Sequence, residues 1–297
     1  MKRTILAAAA VLLSLALFSC KDNAGGPTIL KPGDSVTVKK YTYSYVDSRL
    51  APLPPADSEY KNDDDSVHII VSLDLDLPEG NSILARRVRE WVNEQISFNN
   101  QLSNGFFDGN LDDAQAIADF YGKDLLQTIE KDIEAPIING HRSIDITASK
   151  YYENDKCVTW MFTVYEFMGG AHPSQTAYGA TFRKSDGRMF GNDMFSPDWD
   201  NRNKLDSLIV ENLCSYFSEG VNEKIDDDQL FHEFTNEKIT ETMVALPKYG
   251  PWFSQTGVEF VYQQYEITAY AFGMPSFTLP YEKVKGFLTP AAADLVK

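Results

Sequence analysis

Residues 143–183 constrain this chain most. They hold three strand-like runs, SIDITASKYY, CVTWMFTVYEF and TAYGATFR, joined only by ENDK and the GGAHP loop. Each run is rich in Val, Ile, Thr and aromatic residues, the types that suit a pleated, half-buried surface. Neither connection can hold a crossover helix, so neighbouring runs must return beside one another as an antiparallel meander. KSDGR then supplies an Asp-Gly hairpin turn. Upstream, HIIVSLDLDL alternates strictly. Ile69, Val71, Leu73, Leu75 and Leu77 face one way, and Ser72, Asp74 and Asp76 the other, as in a half-buried strand. VTVKKYTYSYV, GVEFVYQQYEITAYA and PSFTLP read as further strands, with the tyrosines of YTYSY on one face.

Helical periodicity lies between and after these strands. Leu84, Val88, Trp91 and Ile96 mark one helix, capped by Asn81 or Ser82. Ile117, Phe120, Tyr121, Leu125, Ile129 and Ile133 mark a second over 112–133, which Gly122 weakens. Leu205, Leu208, Ile209, Leu213 and Phe217 mark a third, and YEKVKGF a short closing one. The irregular order argues for an α+β fold of antiparallel sheets with packed helices, not a doubly wound sheet. The expected organisation is a signal at 1–19, a lipidated cysteine and flexible tether at 20–35, and two modules at 36–140 and 141–297.

The first residues address the chain. Lys2 and Arg3 precede TILAAAAVLLSLALF, the length of a signal-peptide core rather than of a membrane span. LFSC then resembles a bacterial lipobox, which makes Cys20 the lipidated first residue of a protein anchored in the cell envelope, with the outer membrane expected. The alternative is a plain secretory signal. Processed so, the chain carries 25 basic against 43 acidic side chains, net −18. Such a body does not hold nucleic-acid phosphates, and it attracts basic partners. NDDD at 62–65 and DDD at 226–228 lack calcium-loop spacing and read as solvated loops. Cys157 and Cys214 are expected as two buried thiols.

Familiar chemistry is missing from the sequence. His68, His141, His172 and His232 form no H-E-x-x-H, the cysteines have no zinc spacing, and neither G-x-S-x-G nor a phosphate loop occurs. No metal or cofactor is expected. Asp74 and Asp76 share a strand face roughly 6.5–7 Å apart at the backbone. Carboxylates at such a separation can hydrolyse glycosides, but polar residues at alternate positions are also what a half-buried strand requires.

Two segments are candidate binding elements. In Gly169-Gly170-Ala171-His172-Pro173, the glycines permit positive φ and Pro173 biases His172 toward extended backbone. The histidine's default role is to hold the turn by satisfying loop amides. Partner binding and catalysis are the alternatives. Tyr249, Trp252 and Phe253, in KYGPWFSQTG, either stack on sugars or a partner when exposed, or plug a β-corner when buried.

These segments carry a resemblance. YEFMGGAHPSQTAYGATFRKSDGRMFGNDMF and GVEFVYQQYEITAYAFGMPSFTLPYEKVKGFL resemble the module called domain of unknown function 3298. Asp186, Gly187, Asp193, Met194, Phe195, Tyr265, Glu266, Tyr270, Gly273, Pro280 and Tyr281 stand at its characteristic places. Residues 36–140 resemble, more loosely, its companion, domain of unknown function 4163. The resemblance implies a C-terminal lobe similar to a small lobe of Hsp70-type ATPases without the nucleotide site. It also implies a likeness to the outer, lysozyme-binding part of a membrane anti-sigma factor, and to modules that accompany a peptidoglycan deacetylase. The expected function is therefore recognition of lysozyme-like proteins or peptidoglycan fragments without chemistry. A glycan-acting enzyme using carboxylates and a structural partner of an envelope complex are the alternatives.

Overall fold

The computed structural model describes residues 26–50, 52, 66–98, 105–134, 140–235 and 245–296. The leader, Cys20 and the NDDD run at 62–65 lie outside the described residues.

Six strands form one sheet in chain order: β1 (Val38–Leu50), β2 (Ser66–Pro78), β3 (His141–Glu153), β4 (Cys157–Phe167), β5 (Ser174–Arg183) and β6 (Met189–Phe190). Pairing is antiparallel except between β2 and β3, which run parallel. The meander expected over 143–183 is therefore present, and the α+β class holds. The parallel pair is an addition that short turns could not supply. Two helices make that crossover, α1 (Ile83–Phe98) and α2 (Ala114–Asp132). Ser82 Oγ accepts from Ala85 N–H at 3.0 Å and Asp113 accepts from Ala116 N–H at 3.2 Å, so each helix starts at a side-chain cap.

Both helices lie on one face of the sheet. The odd-numbered apolar residues from Val67 to Leu77 on β2 are fully buried beneath them, with Leu84, Val88, Tyr121, Leu125 and Trp160. Of the residues expected to face inward, Phe120 is instead exposed. Tyr41, Tyr43 and Tyr45 pack half-buried against the same core, as one strand face should.

A second core follows. Helix α3 (Trp199–Val221), capped by Asp198, packs on a three-stranded sheet of β7 (Trp252–Phe253), β8 (Gly257–Val261) and β9 (Ser276–Pro280). Short helical turns close it at Tyr281–Val284 and Pro290–Ala293. The strand expected over 257–271 stops at Val261. A turn follows in which Tyr265 takes φ +62, a left-handed backbone that a strand cannot contain.

The main sheet runs continuously across residue 140, the expected module boundary, because β3 pairs with β2. The two cores interleave along the chain, with Cys157 of β4 in the second and Trp252 of β7 in the first. Residues 28–35, expected as tether, are fastened to the body together with Val36, the first residue of the expected module. Thr28 bridges Ser82, Gly33 N–H bonds Asp155 O at 3.1 Å, and Val36 is buried. Cys157 and Cys214 are both buried free thiols. Burial pushes Cys157 up to about 12 and, with nearby Asp227, Cys214 up to about 11. Among the described residues, no helix is long and apolar enough to cross a membrane.

Candidate functional site

The GGAHP loop joins β4 to β5 at one end of the main sheet. Gly169 and Gly170 take φ +85 and +101. A Cβ on Gly169 would stand 2.7 Å from the Arg142 guanidinium, so a side chain is excluded there on two counts. Arg142 is itself buried and donates to Asp132 at 2.6 Å and to the His141 carbonyl at 2.9 Å. The loop thus rests on a fixed cation.

His172 stands exposed at the tip, and its partners come from far along the chain. Its Nδ1 lies 3.0 Å from Pro173 O, its Nε2 lies 3.2 Å from the Tyr265 hydroxyl, and its ring stacks on Tyr270 at 3.7 Å and 18°. A carbonyl oxygen only accepts, so in the neutral ring Nδ1 carries the proton and Nε2 accepts from Tyr265. Tyr270 Oη also donates to Pro173 O, at 3.0 Å. The turn is held as expected of a structural histidine, with one correction. The ring bonds a carbonyl and a phenol instead of buried amides, and it does so in solvent.

The same end of the sheet is closed by two adjacent glutamines. Gln263 Oε1 accepts from Ala177 N–H at 3.0 Å while its Nε2 donates to Ala177 O at 2.9 Å, which copies a backbone bridge. Gln264 Oε1 accepts from Gln175 N–H at 2.9 Å. The outer edge of β5 is thereby paired with side chains, and a competing strand finds no free donors at these positions. Tyr265 follows directly, more than half exposed at a strained backbone position. Strain of this kind persists only where its surroundings impose it, and it concentrates at working surfaces. His172, Tyr265 and Tyr270 together make an aromatic platform with two phenols and one imidazole.

Both ring nitrogens of His172 are taken by Pro173 O and Tyr265 Oη, so no carboxylate orients the ring as a general base. Asp74 faces solvent and pairs with Lys40 at 3.7 Å, as on an ordinary outer sheet face.

The second candidate segment lands differently. Trp252 and Phe253 are buried and form β7, so neither can stack on a ligand. Trp252 fills the space over β5 that Gly179 leaves open, since a Cβ there would stand 2.7 Å from the indole, and its Nε1 donates to Glu259 at 3.0 Å. Tyr249 is half-buried and stacks on Tyr178 at 3.9 Å. The corner-plug alternative is the one realised. Tyr265 and Tyr270 did carry a signal in the sequence, as places in the resemblance. Their approach to His172 was hidden by a separation of about ninety residues.

Comparison with known proteins places these observations in a family context. The profile described as Protein of unknown function (DUF3298) matches residues 192–282, a span that includes Tyr265 and Tyr270 and leaves His172 outside. A crystal structure of a DUF3298 family protein from Pseudomonas aeruginosa PAO1 is 15% identical, with a TM-score of 0.50 over 87% of this chain and 97% of that one. A member of the same family from Bacteroides fragilis NCTC 9343 is also 15% identical, with a TM-score of 0.57 over 88% of this chain and 99% of that one. At such identity the likeness concerns fold alone. No curated protein matches the chain. The segment that contributes α3, the second sheet and both phenols of the platform, residues 192–282, is therefore the part of this chain that matches the DUF3298 profile, that of a family whose function is unknown.

Proposed function

We propose that this chain is a lipid-anchored protein of the cell envelope, sited at the outer membrane, that recognises a macromolecule and performs no chemistry. The observation that carries the reading is the exposed His172–Tyr265–Tyr270 platform, assembled from two distant loops around a strained Tyr265. Rigid aromatic groups with polar tips give contact area at small entropic cost, and they suit either a protein surface or a sugar ring. The LFSC sequence supports the anchor. The ligands to test first follow from the resemblance of the C-terminal module to the lysozyme-binding part of an anti-sigma factor, and of residues 36–140 to domain of unknown function 4163. They are lysozyme-like proteins and peptidoglycan fragments.

Calorimetric titration of residues 22–297 with a c-type lysozyme, and separately with muropeptides, tests the proposal at low and moderate salt. The expected result is saturable binding that survives moderate salt and weakens about tenfold in His172→Ala and Tyr265→Gly. Binding equally strong in both variants, or no heat with either ligand, would sink it.

A further inference from the structure

The two sides of the main sheet end differently. Gln263 and Gln264 occupy the outer edge of β5 with side-chain bonds. The far edge is β1, 13 residues long, with β2 on one side and no strand on the other among the described residues. Its backbone direction follows from the ladder. Thr37 O accepts from Glu79 N–H at 2.9 Å, so odd-numbered residues face β2 and even-numbered ones turn N–H and C=O outward. Thr42 O agrees, since the Gln115 side chain of α2 donates to it at 2.9 Å, and a carbonyl can accept a second bond. Asp47 caps the Ser48 N–H at 2.8 Å, which leaves Lys40 to Val46 as the open stretch.

An edge of this length is a template for another strand, and edge lysines ordinarily deter pairing. In β1 the sequence reverses that effect. Lys39, Tyr41, Tyr43, Tyr45 and Asp47 follow one another along the face that α2 covers. Paired antiparallel with itself about Tyr43, the strand sets Lys39 opposite the second copy's Asp47 at both ends, Tyr41 opposite Tyr45, and Tyr43 opposite itself. The outward residues then meet as hydrogen-bonded pairs, Thr42 with Ser44 and Lys40 with Val46, as their direction requires. Slipped by two residues, Lys39 would face Arg49, so the ion pairs select one register. Lys39 lies over the Tyr41 ring at 5.3 Å and meets no carboxylate among the described residues. Asp47 is bonded by Arg49 and Tyr45 through Oδ2 and is still 42% exposed. Val46, apolar yet 73% exposed, would lie under the aliphatic stem of the second copy's Lys40.

The helices agree with such a joint. Helix α2 packs on both β1 and β2, so its axis stands inside the edge by about 2.4 Å, half a strand spacing. Across the joint the two copies of α2 would run about 10 Å apart, a separation at which helices pack without blocking each other. We propose that two copies of this chain dimerise through β1, antiparallel about Tyr43, joining two six-stranded sheets into one. The joint lies at the edge away from the His172 platform and is independent of it.

The test is sedimentation equilibrium of residues 22–297, which keep every described residue, at moderate salt over a range of concentrations. The expected result is a reversible monomer–dimer equilibrium. Ser44→Pro should abolish it, because proline at an edge position whose N–H faces outward spares the β1–β2 ladder and obstructs the joint. Lys39→Glu and Asp47→Lys should each weaken the dimer at least about tenfold, since each sets like charges opposite one another twice. Mixed in equal amounts, those two variants should dimerise as wild type does, because both pairs are again opposite in charge. An unchanged thermal midpoint in each variant shows that the monomer is intact. His172→Ala should dimerise as wild type. A wild-type monomer at every concentration up to about 1 mM would leave the edge to a strand of another protein and overturn the proposal. A dimer unaffected by Ser44→Pro, or a mixture no stronger than either charge variant alone, would overturn it too.

Discussion

Gly122 lies inside α2, where alanine would ordinarily stabilise a helix by about 1 kcal/mol. Here the position faces the Tyr43 ring of β1, and a Cβ would overlap that ring. The glycine that weakens the helix in the sequence is what lets α2 lie close on the sheet. Gly122→Ala is therefore expected to destabilise the protein by about 1–3 kcal/mol, the usual cost of overpacking. Chemical denaturation checks this, and an unchanged or raised midpoint would show that Tyr43 moves aside freely. His172 teaches the same lesson. Its imidazole, lone in the sequence, acquires its character from Tyr265 and Tyr270.

At the scale of elements, the start of β1 is held by a group of charges. Glu153 Oε1 accepts from Val36 N–H at 2.8 Å and from Lys184 Nζ at 2.7 Å, and Lys150 Nζ donates to Glu153 Oε2 at 2.8 Å and to Val36 O at 2.9 Å. Lys184 also donates to Asp34 O at 2.6 Å, and its side chain is 3% exposed. Burial alone would raise the Glu153 carboxyl. The hydrogen bonds from Lys150, Lys184 and Val36 outweigh it and hold the group below its ordinary value. A carboxyl lowered by folding stabilises fully above its unfolded value of about 4.3, and that contribution is lost as pH falls through the folded value. Glu153→Gln should lower stability at pH 7 by about 1–3 kcal/mol and flatten the acid limb of the stability curve below about pH 4.3. It should also speed amide exchange at Val36. Denaturation midpoints between pH 7 and pH 3 with exchange at that amide test this, and an acid limb identical to wild type would refute it. Element by element, much of the fold is legible beforehand. The alternation on β2, the cap at Ser82 and the Asp-Gly turn are local, so they can be read locally. The end of β8 at Val261 could not be read, because the residues that follow have strand-like composition. Gln263, Gln264 and the left-handed Tyr265 leave the strand to pair with β5 and His172.

For the whole molecule, the decisive joint is where β7 lies on the main sheet. Thr159 Oγ1 donates to Phe253 O at 2.7 Å, Phe253 N–H donates to Thr181 Oγ1 at 2.9 Å, and the two hydroxyls are 2.9 Å apart, all buried. Thr181→Val keeps the shape but leaves the Phe253 N–H without its acceptor, a loss of about 1–3 kcal/mol. Because this bond links the two cores, scanning calorimetry should show one transition for the wild type and a broadened or split one for the variant. A sharp transition at the wild-type temperature would mean that the cores are joined elsewhere.

The sequence by itself determined the α+β class, the strands of the meander, the three long helices with their buried faces, and the acidic charge. Each depends on periodicity and composition within a few turns of chain. Only the tertiary structure decided the parallel β2–β3 pair, the fastening of residues 28–36, the burial of Trp252 and Phe253 and the platform around His172. Each of these depends on side chains meeting across long separations, where packing and hydrogen-bond satisfaction, not local preference, set the outcome.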